Sequence, residues 1–298
     1  MTRWTSEDIP DQTGRTILIT GANSGLGLRS TQALAAKGGR ILLACRNAEK
    51  AARALTEVNA VATDAPAEVV PLDLADLESV RAAAVDVDGR VESLDVLMDN
   101  AGVMAPPLGR TPQGFETQLG TNHLGHFALT GLLLPLLQRA EAPRVISTSS
   151  QAHRMGRMRW DDLQWDRGYE RWRAYGQSKL ANLLFMHELG RRVPSVVSAA
   201  GHPGWAATHL QSGAGITKRI SALGNSVFAQ SDAMGALPQL YAATMPDVVS
   251  GDYFGPDGMF ERAGHPTRVG MTAHASNAAD AARLWDVSES LTGVTFSR

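Results

Sequence analysis

Thr16-Ile-Leu-Ile-Thr20, followed at once by Gly21-Ala-Asn-Ser-Gly25-Leu-Gly27, constrains this chain more than any other stretch. A short apolar, β-branched run without polar alternation is what a strand buried on both faces requires. The glycines break that strand, a helical stretch runs on to Ala36, and Gly38-Gly39 stops it. Arg40-Ile-Leu-Leu-Ala-Cys45 then reads as a second strand. Strand, glycine loop, helix and strand in about thirty residues make a βαβ unit.

That unit gives the loop a ligand. In a doubly wound sheet ligands sit beyond the carboxyl ends of the strands, where small residues let the backbone approach a pyrophosphate. The following helix offers free N–H groups and the positive end of its dipole. Gly21, Asn23, Ser24, Gly25, Leu26 and Gly27 are therefore the candidate dinucleotide loop; the plain alternative is an ordinary tight turn. An NAD site usually carries Asp or Glu at the tip of the second strand. Here Cys45 and Arg46 stand there, so no carboxylate is expected to repel a 2′-phosphate and Arg46 can pair with one. NADP(H) is the preferred cofactor and NAD(H) is possible. Asp73, with Leu74, follows the third strand and could hold the adenine edge; it could equally cap the next helix, as could Asp76.

The alternation continues to the end of the chain. Helices are expected at 48–60 and 76–87, over 115–139 with Pro135 inside, around Tyr175, and through 280–285. Strands are expected at 68–72, 94–98, 144–148, 195–200 and 253–254. The fold class is α/β: a Rossmann-type doubly wound parallel sheet of about seven strands, flanked by helices on both faces, in one domain over 1–298 with an N-terminal arm at 1–14. A hydrophobic content of 44% supplies one large core. Lys+Arg 28 against Asp+Glu 30 offers nothing to a nucleic acid or an anionic membrane. The single cysteine, Cys45, excludes an internal disulfide and a multi-Cys metal site. Met1 to Gly14 has no apolar core of a signal peptide, and no uncharged apolar run approaches the roughly 18 residues of a membrane span. The expectation is a soluble cytoplasmic protein without a membrane anchor.

Tyr175-Gly-Gln-Ser-Lys179 carries the chemistry. Residues four apart lie on one face of a helix, and Leu180 to Leu189 continues with good helix formers. A free tyrosine, with a pKa near 10, is a poor acid or base at neutral pH. A neighbouring ammonium favours the phenolate, so the expectation is that Lys179 brings the Tyr175 pKa down.

Taken together, Thr20 to Gly27, Asn100-Ala101-Gly102, Asn122, Ser150, Tyr175 with Lys179, and Pro203-Gly204 resemble the short-chain dehydrogenase/reductase family over essentially the whole chain. Ala44-Cys-Arg-Asn47, Thr121 to Phe127, Ser149 to His153, Tyr175 to Asn182 and His202-Pro-Gly204 look most like its retinol dehydrogenase and WW-domain oxidoreductase branch. Membrane-bound members of that branch carry an N-terminal anchor, and the expectation for this chain is that it has none. The resemblance implies hydride transfer between a nicotinamide and a carbonyl carbon. Tyr175 would be the general acid/base, and Lys179 would lower its pKa and bind the nicotinamide ribose. Ser150 would hold the substrate oxygen, and Asn122 would fix a water linking Lys179 to solvent. Asn100, Ala101 and Gly102 would line the cofactor channel, and Pro203, Gly204 and Thr208 would contact its nicotinamide end. It also allows a homodimer or homotetramer, paired through the helices of Asn122 and Tyr175 unless the long insert and the C-terminal segment cover them.

Plainer readings stand beside these. Ser150 could cap a turn, and its neighbour Ser149 could be the relevant serine; Asn122 could be a buried helix residue. His123 and His126 are three apart, but no carboxylate or Cys beside them completes a metal site. His153 near Ser150 suggests a hydrolase pair, yet no G-x-S-x-G elbow surrounds that serine. Residues 153–173 mix Arg and Trp with four acids, which reads as an insert beside the active-site mouth rather than a nucleic-acid surface. Residues 205–232 carry apolar side chains among Gly and Ser, suiting a substrate lid. The expected partner is a small lipophilic alcohol or carbonyl substrate, retinoid-like or steroid-like. The alternatives are an NAD(H)-dependent alcohol or hydroxysteroid dehydrogenase working oxidatively, and a catalytically silent nucleotide-binding sensor or scaffold.

Overall fold

The computed structural model describes residues 3–204 and 230–296. Its first half alternates β1 (Thr16–Thr20), α1 (Gly25–Ala35), β2 (Arg40–Cys45), α2 (Ala48–Asn59), β3 (Glu68–Pro71), α3 (Leu77–Asp88) and β4 (Val96–Asp99). A helical turn (Thr117–Leu119) and a π-helical turn (Gly120–Leu124) lead into α4 (Gly125–Leu137), then β5 (Arg144–Thr148), α5 (Arg171–Arg192) and β6 (Val197–Gly201). After residue 229 come α6 (Asp232–Thr244), β7 (Tyr253–Pro256), β8 (Pro266–Arg268) and α7 (Ala278–Thr292). Short polar side chains start the helices: Asn47 accepts from the Lys50 N–H at 2.8 Å, and Asp76 from the Glu78 N–H at 3.1 Å.

The strands lie in the order β3-β2-β1-β4-β5-β6-β7-β8. All adjacent pairs are parallel except β7 with β8. The sheet thus has eight strands, one more than the sequence suggests. Pro266–Arg268 is a partly exposed edge strand, so it lacks the buried apolar run by which the others are recognised. The order reverses between β1 and β4, which makes their carboxyl ends the switch point. Alternate strand residues feed two cores. Ile17, Ile19, Ile41 and Leu43 pack under α1, α2 and α6; Leu18, Leu42 and Val145 pack under α3, α4, α5 and α7.

The uninterrupted helix expected over 115–139 is broken. At Gly120–Leu124 the ladder widens to an i→i+5 bond from the Gly125 N–H to the Gly120 carbonyl. The face of α4 and α5 is closed by α7 and the tail after it. Phe185 stacks on Trp285 with centroids 5.9 Å apart, and Phe296 lies 4.9 Å from Phe127 and 4.3 Å from Trp285. Trp285→Ala empties this aromatic cluster and should cost about 3–5 kcal/mol in urea unfolding; a loss under about 1 kcal/mol would mean that the tail is not part of the cooperative core.

The insert is a wall rather than a basic surface. Trp165 is buried beneath the Arg159 guanidinium, and Trp160 donates to Asp280 at 3.1 Å with Arg283 over its ring. Arg159 pairs with Asp162 at 2.6 Å and Arg110 with Asp166 at 2.6 Å, so acids of the same segment answer its charge.

Candidate active site

The glycine loop fits a pyrophosphate by its backbone. Ser24 caps α1 in extended geometry but makes no side-chain cap bond, leaving N–H groups of the first turn free. A Cβ on Gly27 would overlap the Gly21 carbonyl and stand 2.6 Å from Asn100 Nδ2, so only glycine lets α1 start this close to β1 and β4. Among the described residues nothing lies nearer a Cβ position above Gly25 than Asp232 Oδ2 at 4.0 Å. Asn23 and Ser24 are at the surface of the loop and Leu26 is buried beneath it. Burial pushes the Cys45 thiol up to about 11, so it is not a ready nucleophile at this end of the site.

At the tip of β2 the tertiary structure corrects one expectation. A carboxylate does stand near Arg46: Asp73, from the end of β3, lies 3.5 Å from its guanidinium. Arg46 remains 70% exposed, and an exposed pair of this length contributes at most about 1 kcal/mol, so Arg46 is free to turn to a phosphate. Asp73 also accepts from the Ala75 N–H at 3.0 Å, whereas the helix cap is Asp76. The Leu74 side chain belongs to the core, leaving only its backbone for a ligand.

The ends of β1 and β4 are sewn together. Asn100 Nδ2 donates to the Thr20 carbonyl at 2.7 Å, and the N–H groups of Asn100 and Ala101 both donate to Thr20 Oγ1 at 2.9 Å. A Cβ on Gly102 would lie 3.1 Å from Asn122 Oδ1 and 3.4 Å from Lys179 Nζ, which places the Asn100–Gly102 turn against the Tyr175 helix.

Beyond β5, Ser150, Tyr175 and Lys179 converge. Ser150 faces the Tyr175 hydroxyl, while Ser149 Oγ turns inward and donates to the Lys179 carbonyl at 2.9 Å; of the two serines, Ser150 is the one on the tyrosine's side. Lys179 Nζ donates to the Thr148 carbonyl at 3.0 Å and lies 5.8 Å from the Tyr175 ring centroid. The expected direction of the Tyr175 shift is reversed here. Burial pushes it up to about 12, with the Ser150 side chain offsetting only part of the rise, and burial brings Lys179 down to about 8. Both groups lose water, and at this separation that loss outweighs the pull of the ammonium.

Asn122 sits in the π-helical turn with its side chain fully used. Oδ1 accepts from the Val103 N–H at 2.8 Å, and Nδ2 donates to the Val103 carbonyl at 3.0 Å and Ser178 Oγ at 2.9 Å. Its backbone carbonyl takes a 3.0 Å bond from His126 Nδ1. That carbonyl can only accept, so His126 carries its proton on Nδ1, and Nε2 accepts from Thr20 Oγ1 at 2.8 Å. His126 therefore joins the Asn122 turn to β1, while His123 faces Ser288 on α7 at 2.8 Å. The two histidines point to different neighbours, and no group of three possible metal ligands occurs among the described residues.

Sequence reasoning missed two contributors and met a third, Trp172, only among the aromatics of the insert that could touch substrate. His126 was legible only as half of a metal pair. Gln239 on α6 donates to Ser30 Oγ at 2.7 Å and Asn100 Oδ1 at 3.2 Å and accepts from Thr148 Oγ1 at 2.9 Å; no motif marks it. Trp172, one turn before Tyr175, sets its ring edge-on at 6.3 Å and is 43% exposed at the site's rim. Pro203 and Gly204 follow β6 at the same edge of the sheet. Thr208 and residues 205–229 of the expected lid lie outside the described residues.

A glycine loop at the switch point with Ser, Tyr and Lys beyond β5 defines a dinucleotide-binding oxidoreductase of the Rossmann class. The short chain dehydrogenase family model matches residues 15–218, and the chain belongs to the short-chain dehydrogenase/reductase family, in its retinol dehydrogenase-like branch. It is 38% identical to mouse retinol dehydrogenase 12 over 287 residues, covering 95% of this chain and 88% of the relative. It is 40% identical to human retinol dehydrogenase 13 over 291 residues, covering 94% and 85%. Among solved structures, an uncharacterized protein from Mycobacterium paratuberculosis is 41% identical with a TM-score of 0.83 and full coverage of both chains. The Pseudomonas aeruginosa RhlG/NADP active-site complex is 25% identical with a TM-score of 0.66, covering 84% and 98%. The protein is an NAD(P)-dependent oxidoreductase acting on CH–OH groups.

Proposed function

We propose that the chain is an NADP(H)-preferring alcohol dehydrogenase or carbonyl reductase for a lipophilic substrate, with Tyr175 as its general acid/base. The observation that carries this reading is the convergence of Ser150, Tyr175, Lys179 and Asn122 beyond the carboxyl end of β5. When bound, the nicotinamide supplies or accepts the hydride. Gly21 to Gly27 would hold its pyrophosphate, and Asn100 to Gly102 and Pro203-Gly204 would flank the channel. In the reductive direction the Tyr175 hydroxyl donates its proton to the carbonyl oxygen, and Ser150 holds that oxygen in line. Lys179 keeps an ammonium beside the forming phenolate. The π-helical turn at Asn122 supports a water on the carbonyl's remaining lone pair, from which the proton is replaced.

The preference for a lipophilic substrate is supported by exposed Trp172 beside Tyr175 and by exposed Met155, which lies near Gly176. Preference for NADP(H) is supported by exposed Arg46 at the tip of β2. Self-association through α4 and α5 is disfavoured, because α7 and Phe296 cover that face.

Fluorescence titration with NADPH and NADH, repeated on Arg46→Ala, tests the cofactor preference. NADPH should bind at least about tenfold tighter than NADH, a difference of about 1.4 kcal/mol, and the variant should lose the gap. Equal or tighter NADH binding would instead leave Arg46 with Asp73 and favour NAD.

A further inference from the structure

The connection between β7 and β8, residues 257–265, reaches across to two segments that its sequence does not connect with any chemistry. His202, just after β6, has a fully buried side chain. Its Nδ1 lies 3.1 Å from the Gly204 N–H, and its Nε2 lies 3.1 Å from Glu261 Oε2. A backbone N–H can only donate, so Nδ1 is bare and the ring proton sits on Nε2, aimed at the carboxylate. The other Glu261 oxygen accepts from Arg154 at 2.9 Å, four residues after Ser150. Gln151, next to Ser150, donates to the backbone carbonyls of Phe260 at 2.6 Å and Glu261 at 3.1 Å.

The turn itself is held from further sides. Gly204 has φ +64°, and a Cβ there would meet the Arg262 carbonyl at 2.5 Å and Pro256 Cγ at 2.8 Å, so the connection's backbone lies directly on it. Gln230 donates to the Pro203 carbonyl at 2.5 Å and accepts from the Gly264 N–H at 3.1 Å. Phe260 and Glu261 adopt φ +55° and +54°, a left-handed backbone that non-glycine residues keep only where the surroundings hold it.

We propose that His202 and Glu261 are positioning residues for hydride transfer: they tie the Pro203–Gly204 turn on the cofactor side to the Ser150 segment on the substrate side. The proposal rests on the reading of Ser150 and Tyr175 as the reactive pair. His202 fixes the turn through the Gly204 N–H. Glu261 fixes His202 and, through Arg154 and Gln151, keeps that turn in register with Ser150. Their effects should therefore separate, with His202 acting first on nucleotide binding and Glu261 on turnover.

The test uses the purified full chain and whichever of NADPH or NADH the wild type binds more tightly, with turnover read on the best substrate of an apolar aldehyde panel. His202→Phe keeps the ring shape and removes the acceptor; nucleotide Kd should rise at least tenfold. His202→Asn places a carboxamide oxygen where Nδ1 stood, and Kd should return to within threefold of wild type. Glu261→Ala should lower kcat at least tenfold with Kd within threefold, and Glu261→Gln, which still accepts from His202, should recover most of kcat. A Kd within twofold of wild type in His202→Phe, or equal weakening in the Phe and Asn variants, overturns the role of His202. Equal kcat in Glu261→Ala and wild type, or no recovery in Glu261→Gln, overturns that of Glu261. If His202→Phe does not fold, the two Glu261 variants and His202→Asn decide the matter. Full turnover in Tyr175→Phe would sink the catalytic reading instead, while the nucleotide-binding arm stands without it.

Discussion

Tyr175→Phe is expected to lose turnover by roughly 10²- to 10⁴-fold while binding the nicotinamide nucleotide as tightly as the wild type. The substitution removes one oxygen from a ring that is 7% exposed and edge-on to Trp172. The ring keeps its packing, so stability should change by less than about 1.5 kcal/mol, the net value of one hydrogen bond. What disappears is the proton donor that Ser150 faces. Single-turnover kinetics separates the outcomes: a collapsed chemical step with unchanged nucleotide Kd supports Tyr175 as the acid/base. A variant that still turns over at the wild-type rate would remove Tyr175 from the chemistry. Absence of turnover in the wild type, with tight nucleotide binding, would favour the silent nucleotide-binding protein instead.

Lys179→Met should abolish turnover and at the same time stabilise the fold near neutral pH. Lys179 is 3% exposed, and burial lowers its pKa from 10.5 to about 8. Below pH 8 the lysine is charged in both native and unfolded chains, and the native state bears the full desolvation penalty. Between pH 8 and 10.5 the unfolded chain holds a proton that the native chain has released, so this group's contribution makes stability rise with pH. The pKa difference corresponds to about 3 kcal/mol as an upper bound. Methionine fills the same space without charge. The Thr148 carbonyl that Lys179 leaves still accepts from Asn182 at 3.0 Å, so no buried acceptor is orphaned. Urea unfolding of both proteins from pH 7 to 10 should show the variant more stable at pH 7 and the gap closing towards pH 10. A variant less stable than the wild type at every pH would mean that the ammonium is well solvated or paired in the native state.

This opposition explains why such a lysine is informative. A charge kept where burial disfavours it marks a candidate functional position, and here Gly102, Asn122 and Tyr175 surround it. The same burial raises the tyrosine, so the ionisation of the isolated pair is governed by lost water more than by mutual attraction.

The βαβ start and the alternation that makes a parallel sheet were legible in the chain, and Ser150, Tyr175 and Lys179 were legible there as candidates. These follow from local rules: buried strands need continuous apolar runs, glycine is demanded where backbones touch, and four-residue spacing stacks side chains on one helix face. Features that depend on residues far apart in the chain emerged only with packing. Asp73 reaches Arg46 because β3 lies beside β2, and the Tyr175 shift changes direction because the surrounding chain removes its water. The π-helical turn opens where Asn122 is held by Val103 and Ser178. His126, Gln239 and Glu261 gain their parts from partners 59 to 209 residues away in the chain or from a carbonyl one turn back, across distances that no local pattern encodes. The physical reason is that desolvation and hydrogen-bond pairing are properties of a packed environment, which exists only once the distant segments have met.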